Sequence, residues 1–186
     1  MCCPASDGAS AVLITTADRA RRYGAGRAMR IAGMACGSPL ADDLVGGPGA
    51  DIGGDFKAGN LTRRLALRLF EDAGIGAADV DVAQVHDPFA MALLAVLESL
   101  GVCAEGEAGR FVLEGHTGPA GRLPTNTDGG LLCKGHPMGA TGVGQVNEIV
   151  RQLRGEAGPR QAAGRPRTGL THSSGAGLIN MHLFTV

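Results

Sequence analysis

The sequence predicts a layered α/β domain with one buried helix at its centre. Helix-like and strand-like periodicities alternate along the chain and end in two adjacent strand-like segments. The stretch from Pro88 to Leu100 is apolar nearly all round, with Glu98 as its one charge. Finally, 31 of 186 residues are glycine, well above the usual share of roughly 7%, which suits tight turns and backbone brought close to a ligand.

The elements follow in order. Ala11–Thr16 reads as a buried strand and Ala17–Arg22 as a short charged helix. Arg30–Ala35 reads as a strand, and the Gly- and Pro-rich run Val45–Gly54 as a loop, either a lid or plain flexible chain. Asn60 caps a helix running to Ala73, with Leu61, Leu65 and Leu69 on one face and Gly74 closing it. Val80–His86 reads as a strand. Asp87 then caps the apolar helix, with Pro88 at its first position. Gly101–Pro137 reads as a polar loop region, and Gly139–Arg154 as a helix with Val143, Val146, Val150 and Leu153 on one face. Gly155–Pro166 is an exposed linker. Thr168–Thr171 and Leu178–Val186 make a closing hairpin.

Composition excludes several functions. The formal net charge is −1, with 17 Lys and Arg against 18 Asp and Glu, so no polyanion-binding surface is implied and nucleic acid is not an expected partner. Aromatic residues are 3% of the chain, with no Trp, which removes base stacking. Five cysteines form no CxxC pair and no signal peptide precedes them, which predicts a reduced, cytoplasmic protein. The longest apolar stretch, Phe89–Leu97, is too short to span a bilayer.

Three segments set polar residues at the ends of apolar elements: His86-Asp87-Pro88-Phe89, Asn126 through Gly142, and Gly169 through Gly177. In α/β sheets ligands gather at the carboxyl ends of strands, where all three segments would lie. The second contains GHPMGATG, which resembles the GHPxGATG signature of thiolases. The first resembles the HDCF variant of the sterol-carrier-protein thiolase branch, where ordinary thiolases have NEAF. Ser6–Ala11 is similar to the SDGAAA strand that ends the family's N-terminal half, and Gly144–Arg154 to the helix after its GHP loop. The resemblance covers almost the whole chain.

It implies a thiolase-like fold: residues 1–24 as a remnant of the N-terminal half, and 25–186 as the C-terminal domain. The nucleophilic Cys of a thiolase lies in the first half, so a separate chain supplies it or the gene is a truncated remnant. By resemblance, His136 accepts the nucleophile's proton and donates to a thioester oxygen, a task suited to imidazole, whose ordinary pKa is about 6.5. His86 donates to the oxyanion of an enolate or thioester carbonyl. Gly175 matches the glycine of the CxG loop, whose N–H completes a second oxyanion hole. Gly135 and Gly139 let backbone approach the substrate, Asn126 braces the GHP loop, and Ser173 stands at the substrate in the position of the CxG cysteine. Coenzyme A enters as a thioester substrate; no cofactor or metal is implied.

Two departures matter. The acid/base thiol of ordinary thiolases sits in CxG, and that of the sterol-carrier branch in HDCF; this chain has Ser173 and Pro88 there. A thiol of pKa about 8.5 exchanges a proton with the substrate α-carbon far more readily than a hydroxyl does. The departures argue against ordinary Claisen condensation. They leave three readings: an acyl-CoA acyltransferase subunit working with an N-terminal thiolase half, a retro-aldol lyase subunit on β-hydroxyacyl-CoA with a zinc-ribbon/OB-fold partner, and an inactive scaffold. A homo- or hetero-oligomer is expected in each.

Other residues have plainer readings. His172 braces its turn, while His116 and His182 take surface and strand positions. Cys133 and His136 lack further metal ligands nearby. Gly139–Gly144 lacks the strand and lysine of a nucleotide loop. Lys134 either touches a CoA phosphate or is simply solvated.

Overall fold

The computed structural model describes residues 1–23, 28–38, 59–175 and 177–186, with the side chains of 59 and 60 also left out. The loop Val45–Gly54 and the side-chain cap of Asn60 lie outside the described residues.

Four strands make one sheet in the order β1-β4-β3-β2: β1 (Arg30–Gly37), β2 (Val82–Gln84), β3 (Thr168–Gly175) and β4 (Leu178–Thr185). The predicted hairpin forms, with Thr168 opposite Thr185 and Gly175 opposite Leu178. β1 lies antiparallel to β4, and β2 lies parallel to β3. That parallel pair matters for the site, because it brings the carboxyl ends of β2 and β3 to one edge.

Alternation along the strands gives the sheet two apolar faces. Ala35, Ala83, Val85, Leu170, Ile179, Met181 and Leu183 share one core with Leu61, Leu65 and Leu69 of α2 (Gly59–Ala73). The apolar helix α3 (Ala90–Ser99) joins that layer, burying Ala92, Val96 and Leu97. Val82 and Phe184 face the other way, against Ile149 and Leu153 of α6 (Met138–Arg154). The layered α/β class therefore stands. α3, expected to be buried all round, leaves Met91 58% exposed on its other side.

Several elements differ from the sequence reading. Residues 11–16 form no strand: the segment runs irregularly into α1 (Ala17–Ala20), and no neighbour among the described residues takes its backbone groups into a ladder. Leu13 and Ile14 are left 86% and 72% exposed. α3 starts at Ala90, not at Pro88, because the backbone around 88–89 is already paired. The Pro88 carbonyl accepts the N–H of Cys3 at 2.8 Å, and Cys2 bridges antiparallel to Phe89.

The expected polar loop holds two short helices, α4 (Ala108–Leu113) and α5 (Gly130–Lys134). Both take side-chain acceptors at their N-termini: Glu98 on Ala108 N–H at 3.1 Å, and Asp87 on Leu131 N–H at 2.8 Å. Such partners are invisible to local patterning.

α6 also turns a different stripe inward. Thr141, Gln145, Glu148 and Gln152 are buried, beside Ile149 and Leu153, while Val143, Val146 and Val150 are half-buried. The loops under the helix carry polar groups that need partners. Gln152 donates to Thr127 Oγ1 (2.9 Å) and to the Arg160 carbonyl (2.8 Å), and accepts from Ala162 N–H (2.8 Å). Arg160 pairs with Glu148 at 3.0 Å. The segment 155–166 is accordingly no exposed linker throughout, since Ala157 and Ala162 are buried.

Gly169 marks a close contact between α6 and the sheet: a Cβ built there stands 2.5 Å from Ile149 Cγ2. Ile149 is fully buried and stiff at χ1. Gly169→Ala is expected to cost about 1–3 kcal/mol, read as a lowered urea midpoint at unchanged slope.

Candidate functional site

β2 ends at Gln84, and the next residue has no strand neighbour on one side. The side-chain amide of Asn126 takes that place: Oδ1 accepts Val85 N–H at 2.8 Å and Nδ2 donates to Val85 C=O at 3.0 Å. Asn126 itself has φ 49°, a conformation Asn tolerates better than most residues. It therefore braces the strand that delivers His86, not the loop at 135–139 as the sequence reading has it.

Asp87 follows, with its carboxylate buried against the start of α5. A Cβ at Gly130 would collide with Asp87 Oδ2, and Gly130 has φ +58°, so glycine is required there twice over. Burial raises the Asp87 pKa, opposed by hydrogen bonds from Leu131, Asn126, its own N–H and Leu132. Asp87 thus caps a helix 44 residues away in place of its own.

His136 sits between Gly135 (φ +90°) and Pro137, the N-cap of α6. Its N–H donates to the Pro4 carbonyl at 3.2 Å, and its Nδ1 lies 2.8 Å from the Thr141 hydroxyl. His86 and His136 meet edge to face, ring centroids 5.0 Å apart and planes at 77°. The two imidazoles named from sequence, 50 residues apart in the chain, therefore share one site. His86 is 5% exposed and its Nδ1 is buried without a hydrogen-bond partner among the described residues. Such an orphan costs about 1–3 kcal/mol unless something binds it.

Burial, and then the neighbouring His136, lower the His86 pKa to about 4; burial also lowers that of His136. Both rings are neutral at pH 7. His172, fully buried on β3, is pushed down to about 3 by burial and then by His86. Its Nδ1 accepts the His86 backbone N–H at 3.5 Å, which leaves the proton on Nε2, 3.4 Å from Thr62 Oγ1. His172 props the backbone of His86; it does not brace the 173–177 turn. Sequence reasoning missed this, together with the contact between Thr141 and His136.

The remaining predicted residues fall as follows. Ser173 is half-buried on the α6 face of β3, its Oγ 3.5 Å from a Cβ built at Gly142. Gly175 ends β3, exposed, and Gly139 lies in the first turn of α6. A Cβ at either would meet nothing within 4 Å among the described residues, whose packing does not demand glycine at these positions. Gly135 serves the fold as well: a Cβ there would collide with Ser6. Lys134 is held by an ion pair to Asp128 and is neither simply solvated nor unoccupied. Burial works against the Asp128 carboxylate, yet Lys134, Gln84 and the Gly130 N–H hold its pKa below the ordinary value. His116 rests beside Glu114 and Phe111, and His182 lies across the strands from Thr171. No helix among the described residues is long and apolar enough to cross a membrane.

The lowered histidine pKa values make stability fall with acid. Folded values of about 4 for His86 and about 3 for His172 lie below the unfolded value of about 6.5. Their contribution is complete above pH 6.5 and declines below it, as the unfolded chain takes up protons the folded chain refuses. Between pH 6.5 and 5 each contributes a loss of roughly 1 kcal/mol per pH unit, and His136 and His182 act in the same sense. Urea midpoints measured across that window should drop accordingly, and His172→Asn should flatten the slope by about half the His86–His172 part.

Residues 56–186 match the family described as thiolase C-terminal domain-like. The chain is 33% identical over 95% of its length to the benzoylsuccinyl-CoA thiolase subunit BbsB of Thauera aromatica, covering 44% of that protein. It is 36% identical over 95% of its length to sterol carrier protein 2 of Oryctolagus cuniculus, covering 31%. It is 37% identical over 99% of its length to an acetyl-CoA acetyltransferase of Methanothermobacter thermautotrophicus, covering 46%. The chain thus spans less than half the length of each of these relatives. Among solved structures, an Ltp2-ChsH2(DUF35) aldolase superposes with a TM-score of 0.71 at 26% identity, over 85% of this chain and 39% of that one. With the layered sheet, the GHP turn and the paired imidazoles in place, this chain belongs to the thiolase C-terminal-domain family.

Proposed function

We propose that this chain is the second half of an acyl-CoA carbon–carbon bond enzyme, working against a separate first thiolase half that brings the nucleophilic thiol. The observation that carries this reading is the pair of neutral imidazoles at 5.0 Å, one of them holding a buried, unpartnered nitrogen. A neutral imidazole with a free lone pair takes the proton of an attacking thiol, and a neutral ring N–H stabilises a developing oxyanion. His136 has the first role and His86 the second. The Gly175 amide, at a strand end with open space where a side chain would stand, completes a second oxyanion hole. The substrate is a coenzyme A thioester.

Two uncovered surfaces support the need for another half. Ile31, Met34 and Leu178 lie on the α6 face of the sheet, 39%, 67% and 44% exposed. Leu13 and Ile14 stand out in residues 1–24, which this reading assigns to the first half. Gly139 and Gly144 weaken α6 by about 1 kcal/mol each relative to Ala, with nothing among the described residues within 4 Å of their missing side chains. An oligomer in the cytoplasm, where five unpaired thiols persist, fits the same assembly.

A second reading is favoured by Pro88 and Ser173, which leave both family positions of the acid/base thiol empty, and by the likeness to an aldolase. It is retro-aldol cleavage of a β-hydroxyacyl-CoA beside a zinc-ribbon/OB-fold subunit. There a base removes the β-hydroxyl proton, and the hydroxyl oxygen becomes the carbonyl of the released fragment as the Cα–Cβ bond breaks. The bond's electron pair passes to an enolate held at His86, and the protonated base returns its proton to Cα.

The test is co-expression with first halves encoded nearby, followed by assays of thiolysis and aldol cleavage on the purified complex. Activity in one assay is expected, reduced about 10²–10⁴-fold by His136→Ala. Alone, the chain should run as oligomers on size exclusion, and Met34→Glu should shift it toward monomer. A stable monomer with no first-half binding, or a complex whose activities ignore His136→Ala, overturns the proposal and leaves the inactive scaffold.

A further inference from the structure

Thr141 stands outside the roles assigned so far, yet it is 6% exposed and makes two contacts that constrain each other. Its Oγ1 lies 3.0 Å from the Pro137 carbonyl and 2.8 Å from His136 Nδ1. We propose that Thr141 is the positioning residue that fixes the tautomer of His136, holding the proton on Nδ1 and leaving the lone pair on Nε2. The catalytic consequence rests on the acyl-CoA reading above; the tautomer itself does not.

A hydroxyl has one hydrogen and two lone pairs, and a carbonyl oxygen can only accept. The bond to Pro137 is the i to i−4 back-bond that threonine makes in a helix, here in the first turn of α6. With its hydrogen committed to Pro137, the hydroxyl can meet His136 only as an acceptor. His136 must then donate from Nδ1. The reverse arrangement, with the hydroxyl turned to Nδ1, leaves two oxygens 3.0 Å apart with no hydrogen between them.

The surroundings keep the arrangement in register. The Pro137 carbonyl also caps Ala140 and Thr141 N–H, at 2.8 and 2.9 Å, so its position follows the helix start. The backbone of His136 is pinned by Pro4. Nε2 of His136 has no hydrogen-bond partner among the described residues, so its lone pair remains available to a thiol or hydroxyl proton. A protonated Nε2 would present a donor where a base is needed. The device is the one a buried carboxylate performs in a hydrolase triad, with a neutral hydroxyl in its place.

The test is a long-range ¹H–¹⁵N correlation spectrum of the uniformly ¹⁵N-labelled full chain at pH 7.5, with His136 assigned by its loss in His136→Gln. In the unsubstituted chain Nε2 should carry the strongly downfield shift of a bare ring nitrogen, and Nδ1 that of an N–H. Thr141→Val should average or reverse the two shifts, and Thr141→Ser should keep them. In a reconstituted complex, Thr141→Val should lower kcat/KM about tenfold to hundredfold, the range for losing a group that orients a histidine, with recovery in Thr141→Ser. A proton on Nε2 in the unsubstituted chain, or an unchanged pattern in Thr141→Val, overturns the proposal. Should Thr141→Val not fold, the spectra of the unsubstituted chain and Thr141→Ser still decide. An inactive complex with the expected tautomer sinks the acyl-CoA reading alone; an active one with the reverse tautomer sinks this inference alone.

Discussion

The site depends on where β2 stops. Two backbone groups of Val85 would be orphaned one residue past the strand, in a core where an unpaired N–H or C=O costs several kcal/mol. One primary amide, that of Asn126, satisfies both. The next residue is His86, whose own N–H goes to a fully buried imidazole, and the next is Asp87, whose carboxylate is fixed by the start of α5. Three consecutive residues are thus tied to remote parts of the chain, two by the side chains of Asn126 and His172 and the third through its own carboxylate. The ring of His86 is aimed by its backbone, since neither ring nitrogen has a partner among the described residues.

The second imidazole is delivered by different means. α5 ends at Gly135, α6 begins at Pro137, and His136 is the residue between them. The N-terminal segment ties this turn to the first one: Cys3 N–H bonds Pro88, and one residue later Pro4 C=O takes His136 N–H. Gly8 packs on Pro137, and Asn147 of α6 holds Ser10 and Ala11. Residues 1–11 therefore act as a strap across both histidine-bearing turns.

What the sequence made legible follows from the range of the forces involved. α2, α6 and the hairpin were legible because their burial patterns repeat every few residues. The two imidazoles were legible because glycines and a proline around them leave a motif dense enough to match a family. Residues 11–16 read as a strand because a continuous apolar run reports apolar content, while a strand also needs a neighbour to accept its ladder. α4 and α5 were missed because Glu98 and Asp87, which finish their first turns, come from elsewhere in the fold. The polar inner stripe of α6 was missed for the same reason: Gln145, Glu148 and Gln152 are buried only because carbonyls and an arginine on other segments meet them. The contacts of His172 to His86 and of Thr141 to His136 gave no signal, since a contact between remote or turn-related side chains has no signature in composition or spacing.

The two readings of the chemistry differ in how many proton-handling groups they require. Claisen chemistry needs a nucleophile, a group to activate it, an oxyanion donor, and a fourth group that exchanges a proton with the substrate α-carbon. This chain offers two neutral imidazoles and a strand-end amide, and its residues at the fourth position are a proline already engaged through its carbonyl and a serine packed near Gly142. A serine hydroxyl is too weak an acid or base for that exchange without a base of its own. Aldol cleavage asks for one base and one enolate-oxygen donor, and an imidazole pair meets that demand without a fourth group. The choice between the readings therefore turns on whether the first half contributes one reactive thiol or two. With a single thiol, the vacancy left by Pro88 and Ser173 favours the bond cleavage that needs no proton exchange through sulfur.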